Sequence, residues 1–275
     1  MDLIERLKRI RSALYVPGSN SRALQKVRGL DADMLIIDLE DAVAEEDKEA
    51  ARIEAVAATR EGYAGKLVAL RVNGTASRHH LADMEVAAKA AVDVIVLPKV
   101  EQAGQLGGLG RSVIAMIETP AGLYSAREIS AHRACAALIA GTNDIVAETG
   151  ICPGPQRQGL ELALQTIVLA AAASGKAAFD GVYNALDDLS GLEDECLQGR
   201  CYGFAGKTLI HPGQIGIANA AFSPSPEELA EAYELVAAAT GGAQRFRGRM
   251  IESMHVDAAR RTIERAAKSH ASGSK

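Results

Sequence analysis

Short β-branched or apolar runs alternate with longer stretches of helical spacing along almost the whole chain, and this alternation constrains the fold more than any other feature. Eight runs read as strands: Ala13–Val16, Met34–Leu39, Leu67–Val72, Val92–Leu97, Val113–Ile117, Ala136–Ala140, Ala177–Val182 and Thr208–Ile210. Helical patterns fall near 20–30, 46–61, 78–90, 101–107, 120–131, 156–174, 190–202 and 225–239. Strands that alternate with helices favour a parallel sheet, and such a sheet needs helices to cover it. Eight strand-then-helix units close a cylinder, so the expected fold is α/β, a TIM (β/α)8 barrel over residues 1–240. A C-terminal helical extension over 241–275 follows it. A doubly wound open sheet is the competing arrangement. Gly104, Gly107, Gly108 and Gly110 do not support it, because they follow a helix and precede a strand, whereas a dinucleotide-binding turn follows a strand and opens a helix. After Gly241-Gly242 the chain turns basic and ends in a helix near 254–268, with no further strand expected and a frayed tail over 269–275.

Composition narrows the function classes. At 48% hydrophobic and 24% charged residues, the chain of 275 residues has enough apolar surface for a packed core and is neither disordered nor collagenous. A net charge of -5 has the wrong sign for a surface that grips nucleic acid throughout. The longest apolar runs, Ala134–Ala140 and Ile167–Ala173, fall short of the ~18 residues of a membrane span. Leu3, Ile4, Leu7 and Ile10 recur at helical spacing among charges, which indicates a short amphipathic helix rather than the apolar region of a signal peptide. A cytoplasmic protein with neither nucleic-acid nor membrane partners is expected. Cys135, Cys152, Cys196 and Cys201 form no CxxC pair and read as reduced, structural thiols.

In a barrel of this kind, the loops after the strands carry the chemistry. The polar residues at those positions are Ser19 and Asn20, Glu40 and Asp41, Arg71 and Asn73, Lys99, Glu118, Asn143 and Asp144, Tyr183 and Asn184, and His211. Glu118 and Asp144 occupy neighbouring strand ends and can reach one point. Two carboxylates, completed by water and substrate oxygens, suit Mg²⁺. Helix capping is the alternative role for each. Adjacent His79 and His80 diverge by about 100° on a helix and read as solvated side chains. No GxSxG, P-loop or HExxH pattern occurs, so the remaining constellation is a metal with Arg71, suited to stabilising an enolate or alkoxide.

The motifs Leu14-Tyr15-Val16-Pro17-Gly18, Asp38-Leu39-Glu40-Asp41-Ala42-Val43, Arg71-Val72-Asn73, Leu97-Pro98-Lys99, Ile117-Glu118-Thr119-Pro120-Ala121-Gly122, Gly206-Lys207 and Ile210-His211-Pro212 occur in this order. Together they resemble the citrate lyase β-subunit-like branch of the HpcH/HpaI aldolase superfamily, over about residues 12–255. The resemblance implies a trimeric barrel with Mg²⁺ on Glu118 and Asp144, Arg71 beside the reacting oxygens, and Glu40 and Asp41 orienting water and substrate. Arg22 and Lys26 would contact the phosphates of CoA. Two departures stand out. The family commonly has Gly-Glu-Asp where this chain has Thr142-Asn143-Asp144, and Met-Ile-Asp where it has Met250-Ile251-Glu252. The family's aspartate at the second place enters a neighbouring subunit's site as acid or base, so Glu252 would take that part with one extra methylene. The implied reaction is C–C cleavage of a carboxylated 3-hydroxyacyl-CoA, first (S)-citramalyl-CoA to pyruvate and acetyl-CoA. Malyl- or citryl-CoA cleavage, a related CoA thioesterase, or a subunit of a citrate lyase complex are the alternatives.

Overall fold

The computed structural model describes residues 1–63 and 65–269. The expected fraying from His270 onward lies outside the described residues. By internal contacts the chain divides into two compact units, Met1–Asn219 and Ala220–Lys275.

The first unit is a closed barrel of eight parallel strands: β1 (Ser12–Pro17), β2 (Met34–Asp38), β3 (Leu67–Arg71), β4 (Val94–Leu97), β5 (Val113–Ile117), β6 (Cys135–Ala140), β7 (Ala177–Asp180) and β8 (Gly206–Leu209). Every residue of β2, β3 and β5 is buried, because one side faces the barrel interior and the other faces the helices. That is why these strands read as continuous apolar runs rather than alternating ones. Ala13, Met34, Ile36, Ala69, Ile114 and Phe179 belong to one interior cluster, which Leu7, at the end of the N-terminal helix Leu3–Leu7, and Ile10, just beyond it, join.

Closure is at β8, which pairs with β1 in the register Ser12↔Lys207 and Ala13↔Thr208. The strand starts at Gly206, earlier than expected. A Cβ at Gly206 would lie 2.4 Å from the Ile10 carbonyl oxygen, so only glycine lets the chain approach this seam. The next residue, Lys207, is 0% exposed and carries its charge into the barrel wall. It is neutralised there by Asp180 at 3.0 Å and Glu195 at 2.6 Å. The helical layer also differs in places. The fourth unit returns through a 3-10 turn, Ala103–Leu106, and the stretch 120–131 splits into Pro120–Tyr124 and Ala126–Ala131. A further helix, Thr142–Thr149, follows β6 directly.

The second unit holds a correction. Two strands, β9 (Gln244–Phe246) and β10 (Arg249–Ile251), form an antiparallel hairpin where none was expected. Arg247 and Gly248 connect them, with φ of 45° and 83°, and two consecutive positive φ values are what a tight hairpin turn requires. An arginine in the left-handed region gives no sequence signal of the usual Asn-Gly kind. Ala232 and Leu235, from helix Pro226–Ala238, pack with Ile251 and with Ala259 of the last helix, Ser253–Ser269. The first of these helices therefore groups with the extension, and the division falls at Asn219/Ala220 rather than at 240.

Candidate active site

The register of β2 on β3 sets Asp38 directly opposite Arg71 at the C-terminal rim of the barrel. Arg71 donates from Nε to Asp38 Oδ1 at 2.7 Å and from Nη2 to Oδ2 at 2.5 Å. Its remaining terminal nitrogen lies 2.9 Å from Glu40 Oε2 and 3.4 Å from Asp41 Oδ2. The Tyr15 ring packs against the same guanidinium, 4.9 Å from centroid to Cζ. This bidentate, stacked geometry suits a guanidinium and not an ammonium.

Three carboxylates around one cation leave an excess of negative charge. Glu40 is buried, and burial, with further push from Asp41, Glu118 and Asp38, raises its pKa to about 8 against the pull of Arg71. Although its Oε2 is within ion-pair distance of Arg71, no hydrogen bond of good geometry reaches that oxygen.

Glu118 directly follows β5, and its residue is 2% exposed. The backbone N–H of Lys99 donates to Oε1 at 2.6 Å, an alignment obtained by holding Lys99 at a φ of 51°, which a non-glycine residue rarely adopts. Thr119 caps the following helix by accepting from Gly122 N, so capping does not account for Glu118. Burial and the charge of Asp144 raise Glu118 to about 7, opposed by the Lys99 hydrogen bond, Arg71 and Lys99. Asp144 lies in the first turn of helix Thr142–Thr149, 3.9 Å from Lys99 Nζ. Room for Glu118 comes from Gly141, where a Cβ would meet Glu118 Cβ at 2.3 Å.

Two adjoining cavities open over this rim. The inner one, about 300 Å³, is lined by Tyr15, Arg71, Met116, Glu118, Asn143 and Asp144 among others. The outer groove, about 1070 Å³, runs past Glu40, Lys48, Asn73, His79 and Lys99, and Asp41 and Asp144 border both. The arrangement has room for a small acid inside and a long appendage outside.

Arg71, Glu40, Asp41, Glu118 and Asp144, which the sequence placed at strand ends, all line one or both of these cavities. Arg22 and Lys26 are exposed on helix Ser21–Lys26 and line neither cavity. Glu252 belongs to the second unit, where it borders a different cavity of about 220 Å³ with Gly241, Gly242 and Arg260, and its backbone N–H donates to His255 Nδ1. The reading of His79 and His80 as solvated is corrected. His80 is buried with Nδ1 2.8 Å from the Asn73 carbonyl, and His79 bridges Arg52 and Glu45. Tyr183 donates to Asp188, and His211 Nδ1 accepts from Gly213 N. Three supporting residues were missed. Asp38 holds the Arg71 fork. Lys48, itself buried, donates to the carbonyls of Leu39 and Glu40 and to Asn73 Oδ1. Asp83 accepts from both nitrogens of Asn73.

The family model for HpcH/HpaI aldolase/citrate lyase matches residues 11–111 and 107–212. The chain belongs to this family. Among its relatives, the (3S)-malyl-CoA thioesterase of Cereibacter sphaeroides is 42% identical over 268 residues, covering 93% of this chain and 94% of the relative. A citrate lyase subunit beta-like protein of Mycobacterium tuberculosis is 34% identical over 92% of this chain and 94% of its own length. Among solved family structures, CitE from Mycobacterium tuberculosis in complex with magnesium, acetoacetate and coenzyme A superposes with a TM-score of 0.81 at 33% identity, covering 93% of this chain and 97% of that one.

Magnesium is thus a ligand of solved family members, and the residues present here fit it. Glu118 and Asp144 offer only hard oxygen donors, and each charge opposes the other. Among the described residues no group of three or more His, Cys, Asp or Glu is placed to hold a metal, so the pair Glu118 and Asp144 is the donor set considered.

Proposed function

We propose that this chain is a Mg²⁺-dependent enzyme acting on the CoA thioester of a small 3-hydroxy dicarboxylic acid of the malyl type, and that it hydrolyses the thioester. The observation that carries this reading is the meeting of Glu118 and Asp144 at a cavity of about 300 Å³ that adjoins a much larger groove. The first holds a short acid and the second a long CoA arm. Hydrolysis is favoured over the C–C cleavage expected first because the relative sharing 42% identity across nearly the whole chain is a (3S)-malyl-CoA thioesterase. C–C cleavage remains the second reading, favoured by the complex of a family member with acetoacetate and coenzyme A.

Glu118 and Asp144 are the metal ligands in this proposal, and the bound ion supplies positive charge where negative charge develops on substrate oxygens. Arg71, immobilised by Asp38, Glu40 and Asp41, adds a second fixed positive charge at the same rim without having to reorganise. Glu40, with its pKa near 8 and an unsatisfied Oε2, accepts a proton there from an attacking water. The water oxygen bonds to the thioester carbon, the C–S bond breaks, and the CoA thiolate leaves. Arg22 and Lys26, four residues apart on an exposed helix outside both cavities, meet CoA phosphates beyond the groove in this reading. Glu252 enters the site of a neighbouring subunit in a trimer.

A panel of malyl-, citramalyl- and citryl-CoA, with Mg²⁺ and with EDTA, tests the reading by mass spectrometry of the products. Free CoA with the hydroxy acid supports hydrolysis, and acetyl-CoA with a 2-oxo acid supports C–C cleavage. Full activity in EDTA, or turnover of none of the three, overturns the proposal.

A further inference from the structure

Tyr15 is a polar group in the inner cavity that the chemistry above leaves unused. It stands on β1, its ring packs on the interior cluster and on Arg71, and its hydroxyl reaches Met116 Sδ on β5 at 3.7 Å. In a cylinder of eight strands, β1 and β5 lie on opposite sides, so this side chain crosses the interior and floors the cavity that Arg71, Glu118 and Asp144 surround. A thioether is a weak acceptor, and the donor capacity of the phenol is largely unspent. Neighbouring polar groups are engaged elsewhere. Thr208 donates to the Asp180 carbonyl, Asn184 donates to Asn143 Oδ1 at 2.8 Å, and Arg71 spends Nε and Nη2 on Asp38. Packing alone asks only for a ring here, and a phenylalanine would fill the floor equally well.

We infer that the Tyr15 hydroxyl donates a hydrogen bond to an oxygen of the small acid portion of the substrate, seated between Arg71 and the Glu118/Asp144 pair. This rests on the reading of the inner cavity as the seat of an oxygen-rich acyl group. Tyr15 then helps to select such a group, because an acyl chain without an oxygen at that depth leaves a buried hydroxyl without a good partner. The phenol is a donor throughout the working pH range. Burial holds its ionisation well above the usual phenol range, with Asp38, Glu118 and Glu40 adding to the shift and Arg71 opposing it.

Oxaloacetate with Mg²⁺ is a probe that needs no turnover. The chain contains no tryptophan and 6 tyrosines, so tyrosine dominates its near-ultraviolet absorption. Titration of the wild type is expected to perturb that absorption, and Tyr15→Phe is expected to lose the perturbation and bind about tenfold more weakly by calorimetry. KM for the CoA substrate rises by a similar factor. Met116→Leu, which removes the sulfur and keeps the hydroxyl, retains the affinity. Equal affinity in Tyr15→Phe, a spectral change that persists in it, or a wild type that does not bind oxaloacetate would overturn the inference. A wild type that binds oxaloacetate through Tyr15 but turns over no CoA thioester would remove the proposed reaction and leave the contact standing.

Discussion

At Gly141 the φ of -92° is open to any residue, so the glycine is explained by space and not by conformation. A Cβ would fall 2.3 Å from Glu118 Cβ and 2.5 Å from its Oε2, and a buried side chain met at its own Cβ has little room to give. Gly141→Ala is therefore expected to displace the Glu118 carboxyl, lower Mg²⁺ affinity measured by calorimetry, and cost about 1–3 kcal/mol of stability in urea melts. Unchanged Mg²⁺ binding would remove Glu118 from the metal site. Arg71→Lys tests the other half of the rim. A lysine cannot reproduce the two-point contact with Asp38, so kcat/KM should fall by about 10²-fold or more. A near-normal value would take Arg71 out of the chemistry. At this scale the charged residues just beyond strand ends were legible in the sequence, whereas Asp38 was not. It closes an apolar run and was counted inside the strand, and only the β2–β3 register shows that it faces Arg71.

Elements were legible where both faces of a strand are buried, because an uninterrupted apolar run then announces itself, as in β2 and β5. They were not legible where polar residues are built into the wall. β8 opens on Gly206 and Lys207, neither a strand former, and depends on β7 and the helix Leu189–Tyr202 to make the lysine tolerable. Asp180 at the end of β7 accepts from Lys207 at 3.0 Å and from Arg157 at 2.9 Å, and both cations also meet Glu195. Burial alone would raise the pKa of Asp180, but Lys207 and Arg157 prevail and hold it below the usual carboxylate value. A depressed folded-state pKa contributes stability that is present above the unfolded value of about 3.9 and is lost as pH falls through the folded one. Asp180→Asn should therefore destabilise the barrel by about 3 kcal/mol or more at neutral pH, since it leaves buried cations short of a partner. The gap between wild type and variant in urea melts should hold from about pH 7 to 5 and narrow at more acid pH. A gap that does not change with pH would show that Asp180 acts by shape alone.

The second unit has its own small core of Ala232, Leu235, Ile251 and Ala259, and it exposes Met250 at 65% and Met254 at 62% on either side of Glu252. Large apolar side chains this exposed within a few residues suit contact with another protein surface. The resemblance that predicted the barrel also implies that a carboxylate at this place serves a neighbouring copy, and symmetric association would supply one such carboxylate to every barrel. Truncation after Gly242 should then reduce both the oligomer size in light scattering and turnover. Loss of stability alone could mimic that result, so the decisive measurement uses intact chains. Glu252→Ala and Asp144→Ala subunits, each inactive by itself, are mixed under conditions in which subunit exchange is followed by mass. If Glu252 crosses to a neighbour, mixed oligomers contain some sites that join an intact Asp144 with an intact Glu252, and activity returns in part. If exchange is complete and no activity returns, Glu252 serves its own chain, and the carboxylate at the hairpin's end has no part in a shared site.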